Sequence, residues 1–494
     1  MKKLILLVCA LSGLLVSCSV EDYSFAKGEY YYDGYAMADA ASEEMPGDQQ
    51  GGDRFDEIVE NDFIEAAKEN TSTFSVDADG AAYAYMRRCI KEGSRPSANS
   101  VRIEEYLNYF TFDYPDPADG SGVALNAEVG PCAWNQDHKL LRLGIKGKTL
   151  EESQIPTANY VFLVDVSGSM SSDDKLPLLK KGLIAMLDHM SPNDRVAIVT
   201  YASEEKLLLK STAVSSKQTI VNAIKKLDAS GSTAGEKGMK MAYQEAEKNF
   251  IEGGNNRIIM GTDGDFNVGI TSTEGICNFV KEYASKGIYI TLCGFGRGNL
   301  NDAMMEKVSN SGNGTYEYID CEKEMTKVFV NERSRFVSVA NDCKAQVIFD
   351  NTVVKSYRLI GYENRLLRNE DFEDDKVDAA EIGSGQTITA LYELELLPDA
   401  EGSVARFDFR YKDAIGDQSK YLTMDVPAVT DKLSENLGFA SAIAAWGLHL
   451  RNSKYKGSAT PDLARQLASG ALGADPYGYR QEFLSLIETG AQLN

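Results

Sequence analysis

Three oxygen-bearing side chains stand two residues apart where an apolar run ends. They are Asp165, Ser167 and Ser169 in VFLVDVSGSM, and a further carboxylate, Asp263, ends a second apolar run in RIIMGTDGD. Two carboxylates held close together repel each other, and a cation between them removes that cost. Oxygen ligands without cysteine or histidine select Mg²⁺, Ca²⁺ or Mn²⁺. The pattern therefore predicts a divalent-cation site, with Mg²⁺ as the favoured ion.

A third polar element is the loop SGSTAGEKGM, which precedes a helical pattern and contains Thr233. Its hydroxyl is a candidate fifth ligand of the same cation. Thr233 and Glu236 also form a T-x-x-E pattern, which is typical of a helix-capping box. Both roles are compatible only if the threonine hydroxyl faces the cation rather than the helix.

The elements that must bring these residues together lie between about 159 and 338. Short, continuous apolar runs such as YVFLVDV, DRVAIVTYA, NRIIMGTD and IYITLCGFG alternate there with helical patterns. Such runs indicate strands buried on both faces, so we predict a doubly wound, mostly parallel, Rossmann-like α/β sheet. Ligands bind such sheets beyond the carboxyl ends of the strands, which places Asp165 and Asp263 on one rim.

Segments with a period of two residues flank this region, at about 122–150 and 341–412, and helical patterns close the chain. Neither flank alone has enough strands for a closed core, so we expect them to pair across an inserted α/β domain. The predicted order is a signal peptide (1–18), an acidic flexible tether (19–69), an α+β segment (70–154), the α/β domain (155–340), a β-rich domain (341–427) and a helical segment (428–494).

The motifs DVSGS, GSTAG and TDG, in that order, resemble the von Willebrand factor type A (VWA) domain and its metal-ion-dependent adhesion site. By this resemblance Asp165, Ser167, Ser169 and Thr233 are ligands, and Asp263 is the distal aspartate. From about residue 70 to 493 the chain looks like a family of bacterial VWA lipoproteins, carried by TFSVDADGAAYAYMRR, VRIEEYLNYF and YRLIGYENRLLRNEDF. The resemblance implies a binding protein whose cation is completed by an Asp or Glu of a protein partner.

The first eighteen residues, MKKLILLVCALSGLLVSC, combine two lysines, a short apolar run and small residues before Cys18. This is typical of a secretory signal, and the last four residues resemble the lipobox of bacterial lipoproteins. We expect lipidation of Cys18 and anchoring in the outer membrane, either periplasmic or surface-exposed. Glu21 and Asp22 resemble a surface-export signal and favour the outer face. A plain signal peptide with an incidental Cys18 is the alternative.

Composition excludes several classes of protein. The formal charge of −23 disfavours a nucleic-acid partner, which requires a basic surface. No C-x-x-C pair occurs and only three histidines are present, so a zinc site is not expected. Asp77-Ala78-Asp79-Gly80 resembles the start of a calcium loop, but the remaining ligands are missing at their offsets, which favours a turn with a capping aspartate.

We predict that the protein is not an enzyme, and two alternatives remain open. Asp165 could attack a phosphoryl group with metal assistance, although that chemistry usually places a general acid two residues on, where Ser167 stands. The common hydrolase and nucleotide-binding motifs are absent from the sequence. The other alternative is a structural envelope lipoprotein with a stabilising ion.

Overall fold

The computed structural model describes residues 52–232, 236–264, 272–377 and 379–493, with only the backbone of Glu236. Its strands are β1 (Ile64–Glu65), β2 (Thr71–Ser75), β3 (Val123–Pro131), β4 (His138–Gly147), β5 (Ala158–Asp165), β6 (Arg195–Tyr201), β7 (Glu205–Ala213), β8 (Asn255–Thr262), β9 (Ile288–Phe295), β10 (Thr315–Ile319), β11 (Ser338–Phe349), β12 (Val354–Ile360), β13 (Leu366–Leu367), β14 (Ile382–Gly383), β15 (Thr387–Leu396), β16 (Ala405–Lys412) and β17 (Lys420–Asp425).

The helices are α1 (Ala81–Lys91), α2 (Ile103–Asn108), α3 (Leu176–Leu187), α4 (Lys217–Lys225), α5 (Glu236–Lys248), α6 (Thr273–Ala284), α7 (Asp302–Ser311), α8 (Glu322–Thr326), α9 (Glu435–Arg451), α10 (Pro461–Ser469) and α11 (Tyr479–Gly490). Within the described ranges, none of them combines the length and the apolar character that a membrane span requires.

The inserted domain is a six-stranded sheet in the order β10-β9-β8-β5-β6-β7. All neighbours are parallel except β7, which runs antiparallel to β6. Every residue of β5 is buried, and its side chains point alternately into two cores. Val161 and Leu163 pack into one core, while Phe162 and Val164 pack into the other. This two-sided burial explains the continuous apolar runs and confirms the predicted doubly wound sheet.

Two further sheets are built from strands on both sides of the insertion. One has the order β1-β12-β15-β4-β3, and the other has the order β13-β2-β11-β16-β17. Strand β4, which precedes the insertion, pairs with β15, which follows it, from Lys146 opposite Thr387 to His138 opposite Glu395. The apolar side chains of both sheets form one core. The predicted pairing across the inserted domain is confirmed.

A fourth core joins helices that precede the inserted domain to helices that follow it. Helices α1 and α2 contribute Tyr83, Met86 and Tyr106, and helices α9, α10 and α11 pack against them. Helix α9 is buried along nearly its whole length, which explains why its sequence is apolar on all sides. The segments predicted separately at 70–154, 341–427 and 428–494 therefore form a common body around the insertion.

The predicted tether boundary at residue 69 is wrong by about seventeen residues, since ordered contacts begin at residue 53. The Asp53 carboxylate accepts hydrogen bonds from the backbone N–H of Gly298 at 2.6 Å and of Leu300 at 3.1 Å. Phe55 stacks edge-on against Tyr85, with ring centroids 4.9 Å apart, and β1 pairs with β12. Polar contacts hold most of this segment, so its sequence lacks a sustained apolar period. The predicted lipid site at Cys18 lies outside the described residues.

A buried arginine connects three parts of the chain. Arg87 of α1 donates from Nε to Asp320 at 2.9 Å and from Nη2 to Glu324 at 2.7 Å, both in the inserted domain. It also donates to Tyr109 at 2.8 Å and lies 3.5 Å from Glu482 of α11. The Arg87 side chain is fully buried. The guanidinium therefore joins the N-terminal segment, the inserted domain and the C-terminal helices.

Candidate metal-ion site

Asp165 is the last residue of the central strand β5, and β8 runs beside it. Its side chain is fully buried. One carboxylate oxygen, Oδ1, accepts a hydrogen bond from the backbone N–H of Ser167 at 2.8 Å. The other, Oδ2, accepts a hydrogen bond from the Thr262 hydroxyl at 3.3 Å. The carboxylate is thus fixed at the carboxyl edge of the sheet, where the sequence places it.

The two serines lie together in the turn after β5. The hydroxyls of Ser167 and Ser169 are 3.0 Å apart, with Ser167 buried and Ser169 exposed. The backbone N–H of Gly168 donates to the carbonyl of Gly231 at 3.0 Å. The loop that leads to Thr233 therefore lies directly against this turn. Thr233 itself is outside the described residues, so its role stays a prediction.

Asp263 follows β8 and is buried. Its Oδ2 accepts a hydrogen bond from the Lys175 ammonium at 2.9 Å, whereas its Oδ1 has no hydrogen-bond partner among the described residues. Burial opposes ionisation of this carboxyl, but the hydrogen bond and the charge of Lys175 act against burial, and the pKa of Asp263 is lowered. The hydroxyl of Ser169 and the amide of Asn299 lower the pKa further. Asp263 is therefore ionised.

The electrostatics of the rim favour a cation. Burial raises the pKa of Asp165 to about 6, and repulsion from Asp263 adds to this rise, against the hydrogen bonds from Ser167 and Thr262. A nearby cation would remove the cost of keeping both carboxylates ionised. Two carboxylates and two hydroxyls are also the donor set that a hard divalent ion prefers. Four of the five predicted ligands thus lie on one rim, and they fit such an ion.

Two residues of the rim were missed by the sequence analysis. Thr262 precedes Asp263 and donates to Asp165, and its hydroxyl also accepts from the Gly264 N–H at 3.2 Å. Lys175 lies ten residues after Asp165 and donates to Asp263. A lysine immediately before α3 is also expected at a helix end that is exposed to solvent. The residue type and position of Lys175 therefore did not indicate a contact with Asp263.

The loops around the rim are tied to the N-terminal part of the chain. Arg88 of α1 donates to the Asp174 carboxylate at 2.8 Å, one residue before Lys175. Asp53 holds the backbone of residues 298–300, and Asn299 lies beside Asp263. The candidate site is therefore supported by segments outside the inserted domain.

A second carboxylate cluster lies away from this rim. Oxygens of Asp77, Glu105 and Glu306 come within 4.8 Å of one another, and all three residues are buried. Arg365 lies 3.0 Å from Asp77 and 3.2 Å from Glu306, while Arg102 lies 3.1 Å from Glu306 and also pairs with Glu105. Two guanidinium groups already supply positive charge there. We interpret the cluster as a buried ion-pair network rather than a metal site.

The Asp77-Ala78-Asp79-Gly80 stretch forms a turn that Asp77 caps, as predicted, and its two aspartates also belong to this network. Helix α1 begins after Gly80 without a cap from either aspartate, and the backbone N–H of Ala82 in its first turn donates to the Glu105 carboxylate at 2.7 Å. The Asp77 carboxylate instead accepts from the Asp79 N–H at 2.9 Å, and the Asp79 carboxylate accepts from the Tyr316 N–H at 2.8 Å. The aspartates therefore bind the N-terminal segment to the inserted domain, and their partners come from distant parts of the sequence.

Glu104, beside this network, gives a prediction on pH. Burial raises the pKa of Glu104 to about 8, with added repulsion from Glu363 and Asp77 and an opposing attraction from Arg451. Both carboxyl oxygens lack a hydrogen-bond partner among the described residues. The folded protein therefore holds a proton that the unfolded chain releases near pH 4.5. The stability from this proton is complete below pH 4.5 and is lost as the pH rises through about 8.

Glu104→Gln mimics the protonated carboxyl, so the variant should not lose this contribution to stability as the pH rises. We expect the free energy of unfolding of the variant, relative to wild type, to rise by on the order of 3 kcal/mol between pH 5 and pH 8.5. Urea unfolding at both pH values measures the difference. The control is Glu65→Gln, because Glu65 is exposed. A difference between Glu104→Gln and wild type that does not change with pH would contradict this account.

Comparison with known families covers most of the chain. Residues 159–330 match the von Willebrand factor type A domain, residues 49–142 match a family described as von Willebrand factor, and residues 334–493 match the C-terminal region of the uncharacterized protein YfbK. The first match corresponds to the inserted domain, and the other two correspond to the segments on either side of it.

Individual relatives agree with these matches. The chain is 38% identical over 463 residues to the uncharacterized protein YfbK of Escherichia coli (strain K12), covering 88% of this chain and 80% of that protein. It is 33% identical over 165 residues to inter-alpha-trypsin inhibitor heavy chain H4 of Homo sapiens, covering 32% of this chain and 17% of that protein. A solved von Willebrand factor type A structure from Catenulispora acidiphila is 14% identical, with a TM-score of 0.42, and covers 72% of this chain and 88% of that chain. The chain therefore belongs to the family of the Escherichia coli protein YfbK, and its inserted domain is a VWA domain.

Proposed function

We propose that this protein is a cell-envelope lipoprotein that binds a protein partner through a divalent cation on the rim of its VWA domain. The observation that carries the proposal is the meeting of Asp165, Ser167, Ser169 and Asp263 at one edge of the sheet. Mg²⁺ is the ion we favour, with Ca²⁺ or Mn²⁺ as alternatives, since every donor is a hard oxygen.

The ligands explain why a partner would be captured. Asp165, Ser167 and Ser169 would hold the cation directly, together with Thr233, and Asp263 would act from a greater distance. A bound divalent ion would supply a centre of positive charge that attracts an anionic oxygen. The hydroxyls of Ser167, Ser169 and Thr233 carry no charge, so these ligands leave the ion incompletely neutralised. An Asp or Glu side chain of the partner protein fits the remaining position.

Anchoring and location are part of the same proposal. Lipidation of Cys18 would hold the protein at the outer membrane, with residues up to about 51 as the tether. Glu21 and Asp22 favour display on the outer face. Protease added to intact cells should therefore degrade the protein. Protection in intact cells with cleavage only after lysis would place it in the periplasm instead.

The enzymatic alternative, in which Asp165 attacks a phosphoryl group, receives less support. A serine stands two residues on, where a general acid would be required. A Mg²⁺-dependent phosphatase activity that Asp165→Ala abolishes would replace our proposal with this one.

Crosslinking in intact cells tests the binding function directly. We expect one or more proteins to be captured in the presence of Mg²⁺ and lost after addition of a chelator. The matched strain carries the Asp165→Ala variant, which should capture none of the metal-dependent partners. Capture that is identical with and without chelator would contradict a metal-dependent interaction.

Thr233→Val separates the two predicted roles of Thr233 because it removes a hydroxyl at nearly constant volume. If the threonine only caps the helix, the variant loses about 1 kcal/mol of stability while its metal affinity is unchanged. We expect instead that Mg²⁺ affinity falls as well, as measured by calorimetric titration. Thr489→Val is the control, since Thr489 is exposed on helix α11 and its hydroxyl donates to the Ser485 carbonyl.

A further inference from the structure

The rim of the VWA domain contains a lysine whose ammonium bonds to the site itself. Lys175 Nζ donates to Asp263 Oδ2 at 2.9 Å and to the backbone carbonyl of Ser169 at 3.0 Å. Its side chain is only 12% exposed. These two contacts place a positive charge between the DxSxS turn and the distal aspartate.

The fold leaves room for this lysine at Gly296. A Cβ atom on Gly296 would lie 2.1 Å from Lys175 Cε, and Gly296 has a φ of +74°, which L side chains rarely adopt. The stem of Lys175 therefore packs against a position that only glycine fits. The aliphatic stem of Lys175 packs against Gly296, and its ammonium bonds to the Ser169 carbonyl. The position of the ammonium therefore does not depend on Asp263 alone.

The consequence lies in the charge of the site. Among the described side chains of the site, Asp165 and Asp263 contribute two negative charges when ionised and Lys175 contributes one positive charge, which leaves one negative charge from these three groups before a cation binds. A divalent cation then gives the site one net positive charge, whereas without Lys175 the loaded site would be neutral. A resident positive charge repels an incoming cation and attracts an incoming carboxylate.

We propose that Lys175 determines the specificity of this site by weakening cation binding and strengthening the capture of an anionic ligand. The proposal rests on the proposed metal-dependent function and deepens it. Through this effect of Lys175, the site selects ligands with an ionised carboxylate over ligands that offer a neutral carbonyl or amide oxygen. Lys175 acts through charge and is not itself a metal ligand.

Lys175→Met should therefore change two affinities in opposite directions. We expect Mn²⁺ to bind about tenfold more tightly to the variant than to wild type, and acetate to bind about tenfold more weakly to the Mn²⁺-loaded variant. Electron paramagnetic resonance measures free Mn²⁺. Water-proton relaxation measures the displacement of Mn²⁺-bound water by acetate. Lys181→Met is the matched control, since Lys181 lies on helix α3, which follows Lys175, and pairs with Glu322. It should change neither affinity.

The possible results separate this inference from the proposed function. If wild type binds Mn²⁺ and Lys175→Met changes both affinities in the same direction or neither, the inference is wrong and the function stands. If wild type binds no Mn²⁺ but the variant does, the lysine weakens cation binding as inferred and the proposed function fails. If neither binds Mn²⁺, both are wrong. If Lys175→Met does not fold, Lys175→Gln replaces it in the experiment, because glutamine keeps a hydrogen-bond donor without the charge. We expect the same tighter Mn²⁺ binding and weaker acetate binding from that variant.

Discussion

Asp165→Ala is expected to abolish metal-dependent partner binding while the protein remains folded. Asp165 is the carboxylate at the end of the central strand, and the residues of that strand are buried on both faces of the sheet. Because the apolar strands carry the core, loss of one carboxylate at the rim should leave the fold intact. The loss of a charged ligand should lower cation affinity by more than about 100-fold.

Thermal unfolding with and without Mg²⁺ shows whether this expectation holds. Wild type should unfold at a higher temperature when Mg²⁺ is present, because an ion that binds only the folded state stabilises it. The Asp165→Ala variant should show no such rise, and without metal it should unfold near the wild-type temperature. Asp188→Ala is the control, since Asp188 is exposed and pairs with Lys217. A full Mg²⁺-induced rise in Asp165→Ala would contradict the assignment.

Arg87→Met is expected to cause the largest loss of stability among the substitutions considered. Arg87 is fully buried and pairs with Asp320 and Glu324, whose side chains are also buried. Removing the arginine leaves two carboxylates buried without their cation, which typically costs about 3–5 kcal/mol. Methionine fills similar volume, so loss of charge rather than loss of packing dominates the effect.

Urea unfolding, followed by tryptophan fluorescence and by circular dichroism, measures this loss. Coincident transitions by the two probes are required before one free energy of unfolding is assigned to the chain. Lys68→Met is the control, because the Lys68–Glu65 pair is exposed and such pairs contribute little. A destabilisation by Arg87→Met below about 1 kcal/mol would show that the three parts of the chain are joined by other contacts.

The parts of the fold that could be predicted have a local signature. The run YVFLVDV is apolar throughout because β5 is covered on both faces, so its type and its position in a parallel sheet follow from the sequence. The same signal places Asp165 and Asp263 on one rim. Period-two patterns before and after the insertion likewise indicated strands, and the small number of strands in each flank indicated that the two flanks pair with each other.

The parts that could not be predicted depend on partners far apart in the chain. Asp77 meets Glu105 and Glu306, and nothing near any of them in sequence specifies the other two. Residues 53–69 attach through backbone hydrogen bonds and a few side chains, which leave no apolar period. Lys175 has the same sequence context as a solvated lysine before a helix, so its bond to Asp263 becomes visible only in the folded structure.

Calorimetric titration of Mg²⁺ and Mn²⁺ into wild type and Asp165→Ala tests the central claim most directly. The claim is that Asp165, Ser167, Ser169, Thr233 and Asp263 form a divalent-cation site. We expect wild type to show saturable binding of about one ion per chain at millimolar concentrations or below, and Asp165→Ala to show none. Wild type without saturable binding at millimolar metal, or a variant that binds as wild type does, would contradict the claim.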